Sequence, residues 1–306
     1  MCRTMPTPSP SKDNIAAVIV SYNPDSEFAH RLDRIFPQVA RVIVVDNSSV
    51  SFREELHRVL LSKVELIANP YNVGLAGALN QGVRRAVELG FAWVLMLDQD
   101  SLIDHDMVDC LLEIYHHYPF PQKVGLIGSN ARSPISGRLY MECYQRQKIF
   151  MEVKTPMTSG SLLSVNAYEQ IGPFRDDFFI EAIDLEYCLR LRKHGYKVLI
   201  SCKPLMTHAA GKMKERRFLR RVVVVPDHEP WRYHYQLRNL IFVVRSYFWQ
   251  EPGWVFVALV NFMKALVRIL LFEDNRLRKF NAIWRGIRDG IISRNGGKEA
   301  SHHLGE

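Results

Sequence analysis

Between residues 15 and 129 the chain alternates short, unbroken apolar runs with longer stretches of helical periodicity. The runs are IAAVIVSY (15–22), RVIVVDNSS (41–49), VELIANP (64–70), FAWVLMLDQD (91–100) and KVGLIGS (123–129). Runs this short, rich in Val and Ile, suit strands buried on both faces of a parallel sheet. The stretches at 27–36, 52–61, 76–89 and 106–118 read as helices. In the third, Ala78, Leu79, Val83, Ala86 and Val87 form one stripe and Arg84, Arg85 and Glu88 lie outside it. This alternation predicts an α/β fold with an open, mainly parallel, doubly wound sheet. In such sheets ligands bind beyond the carboxyl ends of the strands. The polar residues expected there are Tyr22, Asn23, Asp46, Asn47, Asn69, Asn72, Asp98 and Asp100.

Beyond residue 130 the pattern loosens. TSGSLLSV (158–165) reads as a strand entered through a small-residue turn, 185–194 as a short helix and 197–201 as a strand. From residue 231 the chain reads as helical and apolar. In GWVFVALVNFMKALVRILLF (253–272), Asn261, Lys264 and Arg268 recur at intervals of three and four and share one face. That spacing predicts a basic amphipathic helix lying on a membrane surface, with packing on the first domain as the alternative. No uncharged apolar stretch reaches about 18 residues, so no spanning helix is expected.

The net charge of +8 suits an anionic partner: a nucleotide, a lipid pyrophosphate or an acidic membrane surface. The charge is dispersed and carries no nucleic-acid signature, so no nucleic-acid partner is expected. Five cysteines (Cys2, Cys110, Cys143, Cys188 and Cys202) are widely spaced and include no CxxC pair. They are expected to be reduced thiols of a cytoplasmic protein, forming neither a disulfide framework nor a zinc site. Residues 1–13, rich in Pro, Ser and Thr, read as a disordered leader and not as a signal peptide.

Four segments carry chemistry. LMLDQDS (95–101) brings an apolar strand out into an Asp-x-Asp pair, and hard carboxylate ligands suit Mg²⁺ or Mn²⁺ beside substrate phosphates. VVDNSS (44–49) puts Asp46 at a strand end, where it accepts from a base N–H or ribose hydroxyl, or belongs to a turn. In NPYNVGLAGALNQG (69–82), Asn72 caps the helix and Gly74 and Gly77 permit close backbone approach, so free N–H groups attract phosphate or sugar oxygens. FFIEAIDLEYCLRLRKHG (178–195) crowds Glu181, Asp184 and Glu186 beside aromatics, which suits a general base. Glu186 and Arg190, four apart, are also placed to pair on a helix surface.

These segments, with VIVSYNP, TSGSLLS and YHYQLRNLIF, resemble the family 2 glycosyltransferases over about residues 15–248, and within them the bacterial rhamnosyltransferases of surface polysaccharide synthesis. The resemblance implies a Rossmann-like nucleotide-diphospho-sugar transferase (GT-A) fold with a C-terminal helical extension. It implies donor contacts from Tyr22, Asp46, Asn47, Asn72, Gly74, Asn80, Asp98 and Gln99. Asp98, Asp100 and His208 would hold Mg²⁺ or Mn²⁺, and Asp184 would be the catalytic base. Glu181, Ser159 and Gly160 would face the acceptor side, although many relatives carry aspartate where this chain has Glu181. Arg238 and Asn239 match a motif outside the sugar site. The implied reaction moves a sugar, L-rhamnose from dTDP-L-rhamnose, with inversion onto a polyprenyl-diphosphate-linked glycan such as an O-antigen precursor. The enzyme would be peripheral on the anionic inner face of the cell membrane. The expected divisions are 1–13 leader, 14–230 catalytic domain, 231–295 helical region and 296–306 tail. Other readings fit less well: there is no glycine in SYNPDSE (21–27), as a nucleotidyltransferase loop needs, and no GxGxxG for a dinucleotide enzyme. A UDP-sugar donor and an inactive scaffold remain as alternatives.

Overall fold

The computed structural model describes residues 8–48, 64–134, 137–143, 148–208, 213–218, 221–226 and 228–292. The helix expected at 52–61 lies outside them. The chain forms two compact units, Met1–Asp176 with Ile183–Ala209, and Asp177–Ala182 with Ala210–Glu306.

The first unit is built on a mixed sheet. In chain order its described elements are β1 (Ile15–Ser21), α1 (Phe28–Ile35), β2 (Arg41–Asp46), β3 (Val64–Ala68), α2 (Gly74–Glu88), β4 (Trp93–Asp98), β5 (Leu102–Ile103) and α3 (Met107–His117). Then come β6 (Val124–Arg132), β7 (Phe150–Glu152), β8 (Ser161–Ser164), α4 (Val165–Ile171), α5 (Ile183–Lys193) and β9 (Lys197–Thr207). The sheet order is β3-β2-β1-β4-β8-β6-β9-β5, with β7 also on β9. β1, β2, β3, β4, β6 and β9 run one way, while β5, β7 and β8 run against them. The sheet is thus mainly parallel, as expected, with antiparallel insertions in its second half.

The apolar runs pack on both faces. Ile15, Ala17, Ile19, Val42, Val44, Leu95 and Leu97 join one core with Phe28, Leu32 and Ile35 of α1 and Val108, Leu111 and Ile114 of α3. α2 covers the other face, where a Cβ at Gly82 would lie 2.3 Å from Val18 and 3.2 Å from Val45. Glycine there lets the helix backbone approach the strands. Within the expected leader, residues 8–13 are engaged: Trp93 Nε1 donates to Pro8 O (2.9 Å) and Lys12 pairs with Asp109 (2.7 Å).

One expectation is overturned. Cys143 and Cys202 are joined in a disulfide, their Cα atoms 5.5 Å apart, which neither spacing nor cysteine parity indicated. The loop after β6 doubles back, with Asn130 Nδ2 donating to Met141 O (2.6 Å), and so brings Cys143 to β9 across 59 residues of sequence. Cys110 and Cys188 are free thiols.

The helix expected to lie on a membrane surface belongs to the second unit. The second unit contains the hairpin β10 (Met213–Phe218) and β11 (Arg221–Pro226), then α6 (Pro230–Tyr247), α7 (Pro252–Phe272) and α8 (Arg276–Ile292). α8 lies close against α6: a Cβ at Gly286 would fall 2.4 Å from His234 O, and one at Gly290 3.0 Å from Arg238 O. Tyr233, Leu237, Ile269 and Ile283 form their shared core, and Phe262 and Leu266 of α7 pack against it. α7 has 21 residues and a mean hydropathy of 2.1 over its best window, long and apolar enough to cross a membrane by length and composition. Of its basic residues Lys264 stays exposed, as does Asn261, while Arg268 Nε donates to Glu273 (3.1 Å). That carboxylate is buried and also takes Tyr233 OH and Lys279 Nζ. The large apolar residues that α7 exposes are Phe256 (69% exposed), Val257, Leu259, Met263 (58%), Val267, Leu270 and Leu271.

Candidate active site

Parallel register aligns the strand ends. Val20 on β1 is opposite Asp98 on β4, and Ser21 is opposite Asp46 on β2. The polar ends of three apolar strands therefore form one row at the carboxyl edge of the sheet. β9 reaches the same region through β5: Thr207 pairs with Leu102, and His208 follows it.

Asp98, Asp100 and His208 form the candidate metal centre, their ligand atoms all within 4.8 Å of one another. His208 Nδ1 lies 3.8 Å from Asp100 Oδ1. Burial pushes the Asp98 carboxyl up to about 6; His208 pulls it down and Asp100 pushes it further up. A buried carboxylate beside a second carboxylate is stabilised by a cation, and two oxygen ligands with an imidazole suit Mg²⁺ or Mn²⁺. The donor set therefore fits the expected ion. Ser101, to which the sequence pattern drew no attention, braces the centre. Its Oγ is 2.7 Å from Ser159 Oγ and 3.2 Å from His208 Nδ1, and Ser159 Oγ accepts the Asp98 N–H (3.0 Å). Such a partner fixes a ligand's ring orientation. The available signal was its position directly after Asp100.

Asp46 is fully buried. Its Oδ1 accepts from Ser21 Oγ (2.8 Å) and Ser48 Oγ (2.6 Å), while Oδ2 has no hydrogen-bond partner among the described residues. An unmet buried acceptor costs about 1–3 kcal/mol, so Oδ2 is suited to a donor N–H supplied by a ligand. Ser48 Oγ also accepts the N–H of Asn23 (2.7 Å), which sits at φ 46° and shapes the turn after the half-exposed Tyr22.

Several residues expected to contact the donor also hold the frame of the edge. Gln99, between the two aspartates, accepts Tyr22 N–H (2.7 Å) and donates to Tyr22 O (3.2 Å), clamping the β1 turn to the metal motif. Arg31 Nε holds Gln99 O (2.7 Å) from α1. Asn47 accepts from Asn69 Nδ2 (2.9 Å) and donates to Gly74 O (3.3 Å), tying β2 to the start of α2. Asn72 Oδ1 accepts Gly74 N–H (2.9 Å) two residues on, and Gly74 takes φ 81°, which favours glycine. Asn80, expected beside the ribose and diphosphate, has protein partners for both ends of its amide. It brackets Phe174, donating to its carbonyl (2.8 Å) and accepting its N–H (2.9 Å), and takes Tyr168 OH (3.2 Å). Its face of α2 points into the unit, where that loop has backbone groups to satisfy.

Ser159 and Gly160 line the entry to β8, beside Asp98. Gly160 N donates to Met96 O (2.8 Å) and Gly160 O accepts Ser129 N–H (2.9 Å). Its φ is +77°, and a Cβ would meet Ser129 Oγ at 2.1 Å. Both conformation and space demand glycine.

The carboxylate segment does not act as one cluster. Glu181 pairs with Arg232 within the second unit. The buried Glu186 pairs with Arg190 (2.9 Å), the four-residue pairing read from the sequence. Asp184 stands in the first turn of α5, its Oδ1 accepting Leu185 N–H (2.8 Å).

Residues 16–168, half of the chain, match the Glycosyl transferase family 2 profile. The chain belongs to this family. The family 2 glycosyltransferase is 28% identical over 256 residues to the dTDP-rhamnosyl transferase RfbF of Shigella flexneri, covering 76% of this chain and 80% of that one. It is 24% identical over 224 residues to the poly-beta-1,6-N-acetyl-D-glucosamine synthase of Staphylococcus aureus (strain COL), covering 67% of this chain and about half (53%) of that relative's length. Among solved structures, TarS 1–349 of S. aureus superposes with a TM-score of 0.58 at 12% identity, over 91% of this chain and 81% of that one. Its complex with UDP-GlcNAc gives 0.58 at 13% identity, over 90% and 81%. These structures share the fold of this glycosyltransferase.

Proposed function

We propose that this glycosyltransferase moves L-rhamnose from dTDP-L-rhamnose, with inversion, onto a hydroxyl of a polyprenyl-diphosphate-linked glycan in surface polysaccharide synthesis. The observation that carries the reading is the edge on which Asp98, Asp100 and His208 converge, in one row with a buried Asp46 whose Oδ2 lacks a partner. Such an edge suits a nucleoside diphosphate: a base N–H at one end and a diphosphate at the other. The likeness to a dTDP-rhamnosyl transferase over most of both chains supports the choice of donor. Asp98, Asp100 and His208 would hold a Mg²⁺ or Mn²⁺ ion, which would neutralise charge on the leaving diphosphate. Asp46 accepts the base N–H, with Ser21 and Ser48 holding its other oxygen. Gln99 keeps the Tyr22 turn against the base and ribose side. Ser159 and Gly160 shape the wall beside the sugar. Asp184 removes the acceptor hydroxyl proton as that oxygen bonds to the anomeric carbon; the bond to the diphosphate oxygen breaks on the opposite side, inverting the centre.

The acceptor is lipid-borne, so the reaction belongs at an anionic membrane, on the face where nucleotide sugars occur. The exposed apolar side of α7 supports that placement, as a helix buried shallowly at the headgroup boundary.

Calorimetry with dTDP-L-rhamnose, UDP-galactose and UDP-N-acetylglucosamine, each with and without Mn²⁺, tests the donor. Selective metal-dependent binding of dTDP-L-rhamnose is expected, and preference for a UDP-sugar overturns the donor assignment. Asp184→Asn should abolish transfer while leaving donor affinity nearly intact; near-normal turnover would remove the base assignment.

A further inference from the structure

Asp177–Ala182, the segment running directly into α5, has an unusual backbone. Phe179 (φ 58°), Glu181 (φ 69°) and Ala182 (φ 58°) are all left-handed, and none is glycine. Each such residue costs about 1–2 kcal/mol, and such conformations persist only where neighbouring groups over-determine them. Here the neighbouring groups come from one face of α6, within the same unit. Asn239, fully buried, donates its amide hydrogens to three carbonyls: Phe178 O (3.0 Å), Ile180 O (2.8 Å) and Glu181 O (2.9 Å). Arg238 Nε donates to Asn239 Oδ1 (3.0 Å), which fixes the amide with its NH₂ toward the loop. Arg238 also reaches Asp177 O, Arg232 pairs with Glu181, Tyr235 stacks on Phe179 at 5.3 Å and Phe242 on Phe178 at 6.2 Å. Positions 232, 235, 238/239 and 242 recur at helical spacing, so one stripe of α6 is built to hold this loop.

The loop ends two residues before Asp184, and Ala182 leads directly into α5. We propose that Asn239, oriented by Arg238, is a positioning residue for the transfer reaction: by holding the left-handed backbone of residues 178–182, it sets where Asp184 presents its carboxylate. The inference rests on Asp184 being the base. It gives a role to the Arg238–Asn239 pair, which lies outside the nucleotide edge. Asn239 touches no reacting atom and acts through the chain.

The test uses full-length protein and follows nucleoside diphosphate release from the sugar nucleotide preferred in the calorimetric comparison, with Asp184→Asn run in parallel. Asn239→Ala is expected to lower kcat by about 10–100-fold, as a misplaced group does, while donor affinity stays within about twofold. Asn239→Ser, which keeps one donor and is the milder variant should Ala fail to fold, should give a smaller loss. Ala182→Gly placed in the Asn239→Ala background should recover part of kcat, because glycine adopts the left-handed conformation unaided. Unchanged kcat in folded Asn239→Ala or Asn239→Ser overturns the inference. So does a parallel loss of kcat, donor affinity and melting temperature with no rescue by Ala182→Gly, which marks general destabilisation. If Asp184→Asn itself releases product normally, the base assignment fails instead, whatever Asn239 does.

Discussion

Asp98 is held in a state that suits a metal better than water. It is recessed at the end of β4, and burial lifts its carboxyl to about 6 in the metal-free protein. A proton therefore competes with the cation. At neutral pH Asp98 is ionised and the competition is slight; as pH falls through about 6 the proton wins. Affinity for Mn²⁺ should weaken by about tenfold per pH unit below that point, and calorimetry at three pH values would measure it. A flat profile would mean that Asp98 is not a ligand. The residue scale also separates polar side chains that serve a ligand from those that serve the backbone. Asp46 retains an unpartnered oxygen, whereas Asn80 gives both ends of its amide to Phe174. Both lie in motifs that resemble the family's, and only hydrogen-bond partners tell them apart.

At the scale of elements, α7 shows how one ion pair changes the meaning of a helix. Asn261, Lys264 and Arg268 share a face in sequence, yet Arg268 is drawn to Glu273, where Lys279 and Tyr233 also converge. Outside, Phe256, Leu259, Met263, Val267 and Leu270 stand beside Asn261 and Lys264, while Phe262, Leu266 and Ile269 meet α6 and α8. If that open side enters a bilayer, Met263→Glu places a charge in it at a cost of about 3 kcal/mol. Binding to liposomes containing anionic lipid should then fall by about 100-fold. The melting temperature should hardly move, since Met263 is 58% exposed. Equal sedimentation of both proteins would reject the membrane role of α7. The hairpin β10–β11 is another element the pattern concealed. Its VVVV run has none of the alternation that marks a half-exposed strand, and its pairing partner is strongly basic.

For the whole molecule, the division into units does not follow the chain. The second unit takes up the chain from Ala210, and Asp177–Ala182 belongs with it although the residues on either side belong to the first unit. The Cys143–Cys202 link acts within the first unit, joining the loop after β6 to the strand that ends at Thr207, just before His208. Closing 59 residues, it stabilises by about 4 kcal/mol if the reduced unfolded chain is a free coil. Among the described residues Cys143 and Cys202 are paired, so thiol titration of denatured protein should find two fewer thiols per chain without reductant than with it, and Cys143→Ser should melt at a lower temperature. Equal counts would overturn the pairing.

The amino-acid sequence by itself determined the parallel core of the sheet, because short Val- and Ile-rich runs have few other ways to bury both faces. It also determined that Asp46, Asp98 and Asp100 stand at the carboxyl edge, since each directly ends such a run. Which carboxylates pair with arginine, which amides bracket backbone, where Cys143 finds a partner and which side of α7 faces out were decided only in the tertiary structure. Each depends on a contact between residues distant in sequence, or on competition for one charge, and local periodicity carries no record of either. The left-handed loop before Asp184 is the sharpest case: Phe179, Glu181 and Ala182 have no intrinsic preference for that conformation, and Asn239, nearly sixty residues away, imposes it.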